Sequence, residues 1–170
     1  IYMSGSFGAY GPNYHGATWF LEKVYPIVRN KISNIKILFA GKDANKNIRQ
    51  NRNIKTIGEK EDLKPYLRKS SIMIVPIFFE SGTRIKILEA GTMGIPIIST
   101  SIGAEGLKLS NNKEIIIAND HLIFAKKVIK LWKNYNLQKK LSKNIKKKII
   151  KEISINRVKK QIIPILNKLY

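Results

Sequence analysis

The segment SIMIVPIFFESGTRIKILEAGTMGIPIISTSIGAEGL, residues 71–107, carries the pattern from which the fold is predicted. Its apolar run 72–79 predicts a strand that is buried on both faces. The pattern becomes helical from Thr83, and Gly94 ends the helix because a glycine just past the last turn accepts the left-handed conformation. A second buried strand is predicted over 95–100. Strand, helix and strand in this order form a βαβ unit with parallel strands.

The start of this helix has the features of an anion site. Ligands of parallel sheets bind at the carboxyl ends of the strands, against helix N-termini, and residues 81–86 are predicted to lie there. The backbone N–H groups of Thr83, Arg84 and Ile85 are expected to point outward, and the helix dipole adds about half a positive charge. Arg84 and Lys86 add two full charges. Phosphate is therefore the expected anion.

Glu89 lies further along the same predicted helix, among mostly apolar neighbours. A carboxylate on a helix that is apolar on nearly all sides is costly unless it receives hydrogen bonds, and a ribose diol supplies them in dinucleotide-binding folds. The alternative is an ordinary ion pair between Glu89 and Lys86, three residues earlier, which contributes only about 0.3 kcal/mol. The sequence leaves both interpretations open.

Three segments resemble the donor-binding half of family 4 glycosyltransferases, which have the two-lobed GT-B fold: GTRIKILEA (82–90), GIPIIST (94–100) and GAEGL (103–107). The resemblance implies a nucleotide-diphosphate-sugar site. It assigns Glu89 to the ribose, and it assigns the loop with Gly82 and Thr83, together with Arg84 and Lys86, to the diphosphate. It also implies retention of the anomeric configuration and an acceptor lobe that precedes this chain.

The chain departs from the family pattern at one position. Many family members have two glutamates separated by seven residues, whereas this chain has Ser81 eight positions before Glu89, and Glu80 one place earlier. Either Glu80 reaches the sugar from a shifted position, or this branch of the family manages without the contact.

The opening of the chain resembles the first βα unit of the donor lobe. A strand over residues 1–6 is predicted to end at Gly5 and Ser6, and the resemblance implies that this turn faces the diphosphate, where a missing side chain lets the backbone approach phosphate. Many family members have an Arg and a Lys in this loop. Since neither is present here, Arg84 and Lys86 are expected to bind most of the diphosphate charge.

The remaining strands and helices alternate along the chain. The further predicted strands are 35–40, 54–57 and 114–118, and the further helices are 12–30, 62–69, 120–133 and 137–170, with a short helix or loop over 45–51. Together with the central segment they predict an α/β fold, an open, doubly wound, Rossmann-like parallel sheet of about six strands. Residues 1–170 are expected to form a single nucleotide-sugar-binding domain, the C-terminal lobe of a GT-B fold.

The composition restricts the class of protein. A hydrophobic content of 44% supports a packed core, and the absence of cysteine excludes disulfides. No apolar run approaches the roughly 20 residues that span a bilayer. The chain begins directly in a core strand without an initiating methionine, which suggests the second half of a longer protein. We expect a cytoplasmic location, with peripheral attachment to the inner face of the membrane as an alternative.

The net charge of +21, from 32 Lys and Arg against 11 Asp and Glu, has two explanations. It favours polyanionic partners, among them an anionic membrane surface, and the basic helix predicted over 137–170 would suit such a surface. Compositional bias towards Ile, Lys and Asn explains the charge equally well, with the lysines simply solvated. Nucleic acid is not an expected partner, because the aromatic residues are not interleaved with the basic ones.

No metal cofactor is expected. His15 and His121 are far apart in sequence, and there is neither a cysteine nor an Asp-x-Asp pair. Arg84, Lys86 and the helix dipole are expected to neutralise the diphosphate in place of Mg²⁺.

The expected function is that of the donor-binding half of a hexosyltransferase-like enzyme. It would move a sugar from a nucleotide-diphosphate sugar to a glycan or lipid-linked acceptor, as in bacterial polysaccharide biosynthesis, and would be inactive as an isolated domain. Two alternatives are a non-catalytic nucleotide- or phosphate-binding module and a basic polyanion-binding protein.

Overall fold

The predicted doubly wound sheet is present in the computed structural model, which describes residues 1–79, 84–152 and Ile163. Within these residues six strands form one parallel sheet. The strands are β1 (Tyr2–Ser4), β2 (Ile37–Ala40), β3 (Ile54–Ile57), β4 (Met73–Val75), β5 (Ile97–Ser99) and β6 (Ile116–Ile117).

The strand order in the sheet is β3-β2-β1-β4-β5-β6. The chain therefore builds outward from β1 to β3, returns to place β4 beside β1, and then builds outward in the other direction. The direction reverses between β1 and β4. In open α/β sheets the crevice at the carboxyl ends of the strands at such a point is where ligands bind.

Two of the strands, β4 and β5, are shortened next to a proline. The strand predicted over 72–79 ends at Val75, because Pro76 has no N–H to donate to a neighbouring strand and Ile77 N–H bonds back to the carbonyl of Val75 at 3.1 Å. The strand predicted over 95–100 begins only at Ile97, after Pro96. Strand β3 has its predicted bounds, and β1, β2 and β6 are shorter than predicted by one or two residues at an end.

The helices occur where they were predicted. Their bounds are α1 (Pro12–Trp19), α2 (Tyr25–Lys31), α3 (Ala44–Asn47), α4 (Lys64–Arg68), α5 (Ile85–Thr92), α6 (His121–Lys133) and α7 (Tyr135–Glu152), and a 3₁₀ turn spans Ile102–Ala104. Asp120 caps α6 as predicted, since its Oδ1 accepts hydrogen bonds from the N–H groups of Leu122 and Ile123. The continuation of α7 that was predicted beyond Glu152 lies, apart from Ile163, outside the described residues.

The first two helices are one continuous helix with a π turn over Phe20–Val24 between them. The N–H of Tyr25 bonds to the carbonyl of Phe20, five residues back. Pro26 follows immediately, and a proline inside a helix removes one N–H and clashes with the carbonyl four residues earlier. The wider turn is the local adjustment to that proline.

Alternate residues along the strands face two separate cores. Met3 and Ile74 face the core that α1, α2 and α6 cover, whereas Tyr2 and Met73 face the core that α5 and part of α7 cover. Both faces of the sheet are therefore buried, which explains the continuous apolar runs. Among the described residues, no helix is long and apolar enough to cross a membrane.

Helix α5 differs from prediction in a way that bears on the site. It begins at Ile85 with Arg84 as its N-terminal capping residue, two residues later than predicted. Gly94 does adopt the predicted left-handed conformation, with a φ of 73°. Lys86 is consequently the second residue of the helix, in its first turn, at the carboxyl end of β4.

Candidate functional site

Lys86 connects two βα units at the point where the strand order reverses. Its Nζ donates one hydrogen bond to the carbonyl oxygen of Ser4, at 2.8 Å, and another to Oδ1 of Asn13, at 2.5 Å. Ser4 is the last residue of β1, and Asn13 is the second residue of α1. The ammonium group of Lys86 is thereby fixed over the carboxyl end of β1.

The position of Lys86 changes its acid–base behaviour. Burial, reinforced by the positive charge of Arg84, lowers the pKa of Lys86 from 10.5 to about 8. No carboxylate forms an ion pair with this ammonium among the described residues. Since an ammonium has three N–H donors and two are used by Ser4 and Asn13, one donor and the charge are left for a ligand.

Arg84 lies on the other side of the same helix start. Its Nη2 donates a hydrogen bond of 2.9 Å to the carbonyl oxygen of Ile102, in the 3₁₀ turn that follows β5. Because β4 lies between β1 and β5, Lys86 and Arg84 bracket the carboxyl end of β4 from its two sides. The structure thus brings together the two cations that the sequence predicted for one anion site.

The turn after β5 is held firmly against the chain leaving β4. The buried Thr100 hydroxyl donates to the carbonyl of Ile77 and accepts from the N–H of Gly103 at 3.0 Å. The neighbouring Ser99 hydroxyl donates to the carbonyl of Val75 at 3.1 Å. These bonds fix the turn whose Ile102 carbonyl accepts the hydrogen bond from Arg84.

Glu89 has a different environment from the one the sequence suggested. The expectation of a largely apolar surrounding was wrong, because the core-facing residues of α5 are Ile87, Ala90 and Gly91, and the Glu89 side chain is exposed. The alternative ion pair is absent as well, since Lys86 makes its contacts with Ser4 and Asn13.

Glu89 instead lines an open pocket of about 500 Å³ beside the end of β1. The other lining residues come from β1, from the segment between β3 and α4, and from α4 itself: Tyr2, Ser4, Lys60, Glu61, Asp62, Leu63, Lys64 and Leu67. Burial raises the pKa of Tyr2, a hydrogen bond with Ser4 opposes that rise, and the charge of Glu89 adds to it. A carboxylate, a phenol and a hydroxyl therefore meet at one wall of this pocket.

Gly5 and Ser6 follow β1 at the same edge of the sheet. Gly5 has a φ of 150°, and a Cβ placed on it would lie 2.5 Å from Cγ of Asn13. A Cβ on the neighbouring Gly41, whose φ is 129°, would lie 2.2 Å from the carbonyl oxygen of Gly5. The two glycines allow close packing of backbone and the Asn13 amide, and Ser6 is exposed beside them.

The other predicted site residues, Gly82 and Thr83, lie outside the described residues, as do Glu80 and Ser81. The question of which residue occupies the first glutamate position of the family therefore stays as the sequence left it.

Two residues of the site were missed by sequence reasoning. Asn13 lies within the helix predicted over 12–30 and Tyr2 within the strand predicted over 1–6, and neither was predicted to be a site residue. A polar residue in the first turn of the helix after β1 was the available signal for Asn13, because that turn lies at the ligand-binding edge. Tyr2 gave no signal, since a tyrosine in a buried strand is ordinary core.

The histidines do not form a metal site. Within residues 1–79 and 84–152, no group of three or more His, Cys, Asp or Glu side chains could hold a metal ion. His15 packs edge-on against the rings of Phe78 and Phe79, and His121 Nδ1 lies 3.5 Å from Asp120.

Known proteins resemble this chain at the level of sequence and of fold. An uncharacterized 44.6 kDa protein in the cps region of Klebsiella pneumoniae is 30% identical over 143 residues, which cover 78% of this chain and 37% of that protein. The chain thus spans little more than a third of that relative.

Two solved structures share the fold. The C-terminal domain of the glycosyl transferase group 1 family protein LpcC from Francisella tularensis has a TM-score of 0.73 at 16% identity, with 91% of this chain and 86% of that chain covered. Anabaena HepE in complex with UDP has a TM-score of 0.70 at 10% identity, with 98% and 48% covered.

These similarities confirm the predicted fold, a Rossmann-like α/β domain of the kind found as the C-terminal domain of GT-B glycosyltransferases. The model of the family described as Glycosyl transferases group 1 matches residues 2–134, and the chain therefore belongs to that family.

Proposed function

We propose that this domain binds the donor of a retaining glycosyltransferase, which transfers a sugar from a nucleotide-diphosphate sugar to a glycan or lipid-linked acceptor. The observation that carries the proposal is the placement of Lys86 and Arg84. Both charges are attached to the first residues of α5, at the reversal point of the sheet, and bracket the crevice between β1 and β5. A diphosphate is the anion that suits two cations and a helix N-terminus.

The chemistry of transfer gives these cations a catalytic role. As the bond between the anomeric carbon and the diphosphate oxygen breaks, negative charge grows on the leaving diphosphate. Lys86 and Arg84 are held in place before the reaction, so they stabilise that charge without reorganising, an effect of about 3 kcal/mol for a well-placed donor. The backbone of Gly5, Ser6, Gly82 and Thr83 completes the proposed diphosphate contacts.

Glu89 is proposed to bind the ribose hydroxyls. Its exposed carboxylate lines the pocket beside β1, within the same edge of the sheet as Lys86. Because this carboxylate is exposed, the fold does not depend on a partner for it. Its proposed role is to position the nucleoside. The base would then lie towards the segment between β3 and α4.

No metal is part of the proposed mechanism. The diphosphate charge is balanced by Lys86, Arg84 and the helix dipole, and the described residues provide no cluster of metal ligands. A donor that binds equally well with and without Mg²⁺ would support this part of the proposal.

The similar proteins add support for the substrate class. HepE was solved in complex with UDP, so a protein that contains this fold binds a nucleoside diphosphate. The Klebsiella relative is encoded in a cps region, which favours bacterial polysaccharide biosynthesis as the setting. Because the chain spans only part of its relatives, we propose that transfer needs a preceding acceptor lobe and that this domain alone binds donor without turning it over.

A membrane-facing role is proposed for α7. Its buried residues Leu141, Ile145 and Ile149 lie on one face, and the exposed face carries six lysines, Lys139, Lys140, Lys143, Lys146, Lys147 and Lys151. The single carboxylate of this helix, Glu152, pairs with Lys148 at 2.7 Å. Each lysine near an anionic leaflet contributes about 1 kcal/mol to membrane binding, which supports a location at the inner face of the membrane.

The test is calorimetry or ligand-observed NMR with UDP-, GDP-, ADP- and CDP-sugars, repeated with Glu89→Ala. We expect one nucleotide to bind selectively and to lose affinity in the variant. Unchanged affinity when the sugar is removed from that ligand would favour a non-catalytic nucleotide-binding module. Turnover of donor and acceptor by this domain alone would contradict its role as half an enzyme.

The polyanion-binding alternative has a separate test. Binding to DNA or to anionic vesicles is measured for the wild type, Arg84→Ala and Glu89→Ala. If these ligands bind equally to all three while no nucleotide sugar binds, the sheet is only a scaffold for a basic surface.

A further inference from the structure

Asn13 is the one side chain, among the described residues, that accepts a hydrogen bond from Lys86. Its Oδ1 lies 2.5 Å from Nζ, although the two residues are 73 positions apart. Only the amide oxygen can face an ammonium group, because the ammonium has no acceptor, so the orientation of the Asn13 amide follows from this contact. The second acceptor, the Ser4 carbonyl, is fixed by β1.

The surrounding backbone is shaped to admit the Asn13 side chain. A Cβ on Gly5 would lie 2.5 to 2.7 Å from all three terminal atoms of the Asn13 amide. Pro12 occupies the first position of α1 and Asn13 the second, so the direction of the Asn13 side chain is set by the start of a regular helix. Gly5 therefore leaves the space through which Asn13 reaches Lys86.

We propose that Asn13 is a positioning residue for Lys86: its neutral amide fixes the ammonium at the diphosphate site without neutralising its charge. This inference rests on the proposed function, since it concerns the diphosphate contact of the same site. A lysine side chain without such an acceptor has several rotamers, and fixing it before binding reduces the entropy that the ligand complex must lose.

The chemical type of the acceptor is the important feature. A carboxylate at position 13 would also hold the ammonium, but it would form an ion pair and compete with the diphosphate for the charge. From β1 and α1, the groups that face Lys86 are the neutral Ser4 carbonyl and Asn13 amide. At the start of α5, the charge of Arg84 lowers the pKa of Lys86. The charge of Glu89, further along α5, raises the pKa of Tyr2 instead.

The test compares Asn13→Asp and Asn13→Ala with the wild-type chain by two independent measurements. The first is the pKa of Lys86, from an NMR titration of lysine Cε and Nζ signals, with Lys86→Met used to assign the signal. The second is the affinity for inorganic pyrophosphate and for UDP by calorimetry. An aspartate is well tolerated in the first turn of a helix, so Asn13→Asp is expected to fold.

We expect Asn13→Asp to raise the pKa of Lys86 from about 8 towards its ordinary value of 10.5 and to weaken both ligands about tenfold. Asn13→Ala should lower the affinity for both ligands about threefold, since Lys86 keeps its charge and loses only the contact that holds it in position. The matched control is Asn134→Asp. Asn134 caps α7 through Oδ1, at 2.8 Å from the Leu137 nitrogen, and an aspartate accepts the same bond while adding the same charge elsewhere. The control should change neither measurement.

An unchanged Lys86 pKa in Asn13→Asp would overturn the proposal, because the contact would then not exist. A raised pKa with unaltered affinity would overturn it too, because the contact would not matter for binding. If wild-type protein binds neither pyrophosphate nor UDP while the Lys86 pKa still responds to Asn13→Asp, the proposed function fails, and the role of Asn13 in binding fails with it. The pKa response separates that result from a missing contact.

Discussion

Nη2 of Arg84 donates a 2.9 Å hydrogen bond to the carbonyl oxygen of Ile102, so the start of α5 is joined to the turn after β5. Two residues later, Lys86 is joined to the end of β1. The first turn of this helix thus spans three neighbouring strands, β1, β4 and β5. That arrangement gives each cation a fixed position and a separate side of the proposed diphosphate site.

Replacement of Arg84 by glutamine should weaken UDP binding by about tenfold or more, the usual effect of losing a charge-assisted hydrogen bond. The pKa of Lys86 should rise above about 8 in the same variant, because Arg84 is one of the causes of its reduction. Calorimetry and a lysine NMR titration measure the two effects. Arg29→Gln, an exposed arginine of α2, is the control; an equal loss of affinity there would indicate a general charge effect.

The affinity for a nucleotide-diphosphate sugar should fall as the pH rises through about 8. With a pKa of about 8, Lys86 loses its proton progressively as the pH rises through that value, and the neutral amine attracts the diphosphate less. Binding is measured by calorimetry between pH 6.5 and 9.5, a range that brackets this value. Lys86→Arg stays charged throughout. A parallel decline in that variant would show that another group titrates.

Replacement of Glu89 by alanine should distinguish the contacts to the nucleoside from those to the diphosphate. We expect the affinity for UDP to fall by about tenfold, from the loss of hydrogen bonds to a charged group, and the affinity for pyrophosphate to stay within about twofold. Because Glu89 is exposed, the melting temperature should change little. Equal losses for both ligands would contradict a ribose contact, because they would indicate that the substitution disturbs the site as a whole.

Replacement of Gly16 by alanine should destabilise the domain by about 2 kcal/mol or more, because forcing extra volume into a packed site strains the backbone. A Cβ at Gly16 would lie 2.0 Å from the carbonyl oxygen of Pro76, the residue that follows β4. Urea unfolding measures the change. Gly8→Ala, where a Cβ would meet nothing within 4 Å, should leave the unfolding free energy within about 1 kcal/mol of wild type.

Much of the fold could be predicted, and the errors have definite causes. The βαβ pattern, the six strands and the end of α5 at Gly94 were correct because hydrophobic period and glycine conformation are local properties. The strand lengths around Pro76 and Pro96 were wrong because an apolar run continues past the point where hydrogen bonding to the next strand stops.

The environment of Glu89 was wrong for another reason. Apolar neighbours in sequence suggested that most of the helix was buried, but α5 packs through Ile87, Ala90 and Gly91, while Ile85 is 56% exposed. Which side of a helix is covered depends on where the sheet and α7 lie, and a nearly continuous apolar pattern does not indicate that direction.

The sequence by itself determined the order of strands and helices, the family, and the presence of Arg84, Lys86 and Glu89 near one helix start. Each of these depends on residues close together in the chain. Only the tertiary structure decided which groups meet Lys86, because Ser4 and Asn13 are 82 and 73 positions away. They come into contact with Lys86 because the chain returns to place β4 beside β1, and no local pattern in the sequence contains that return.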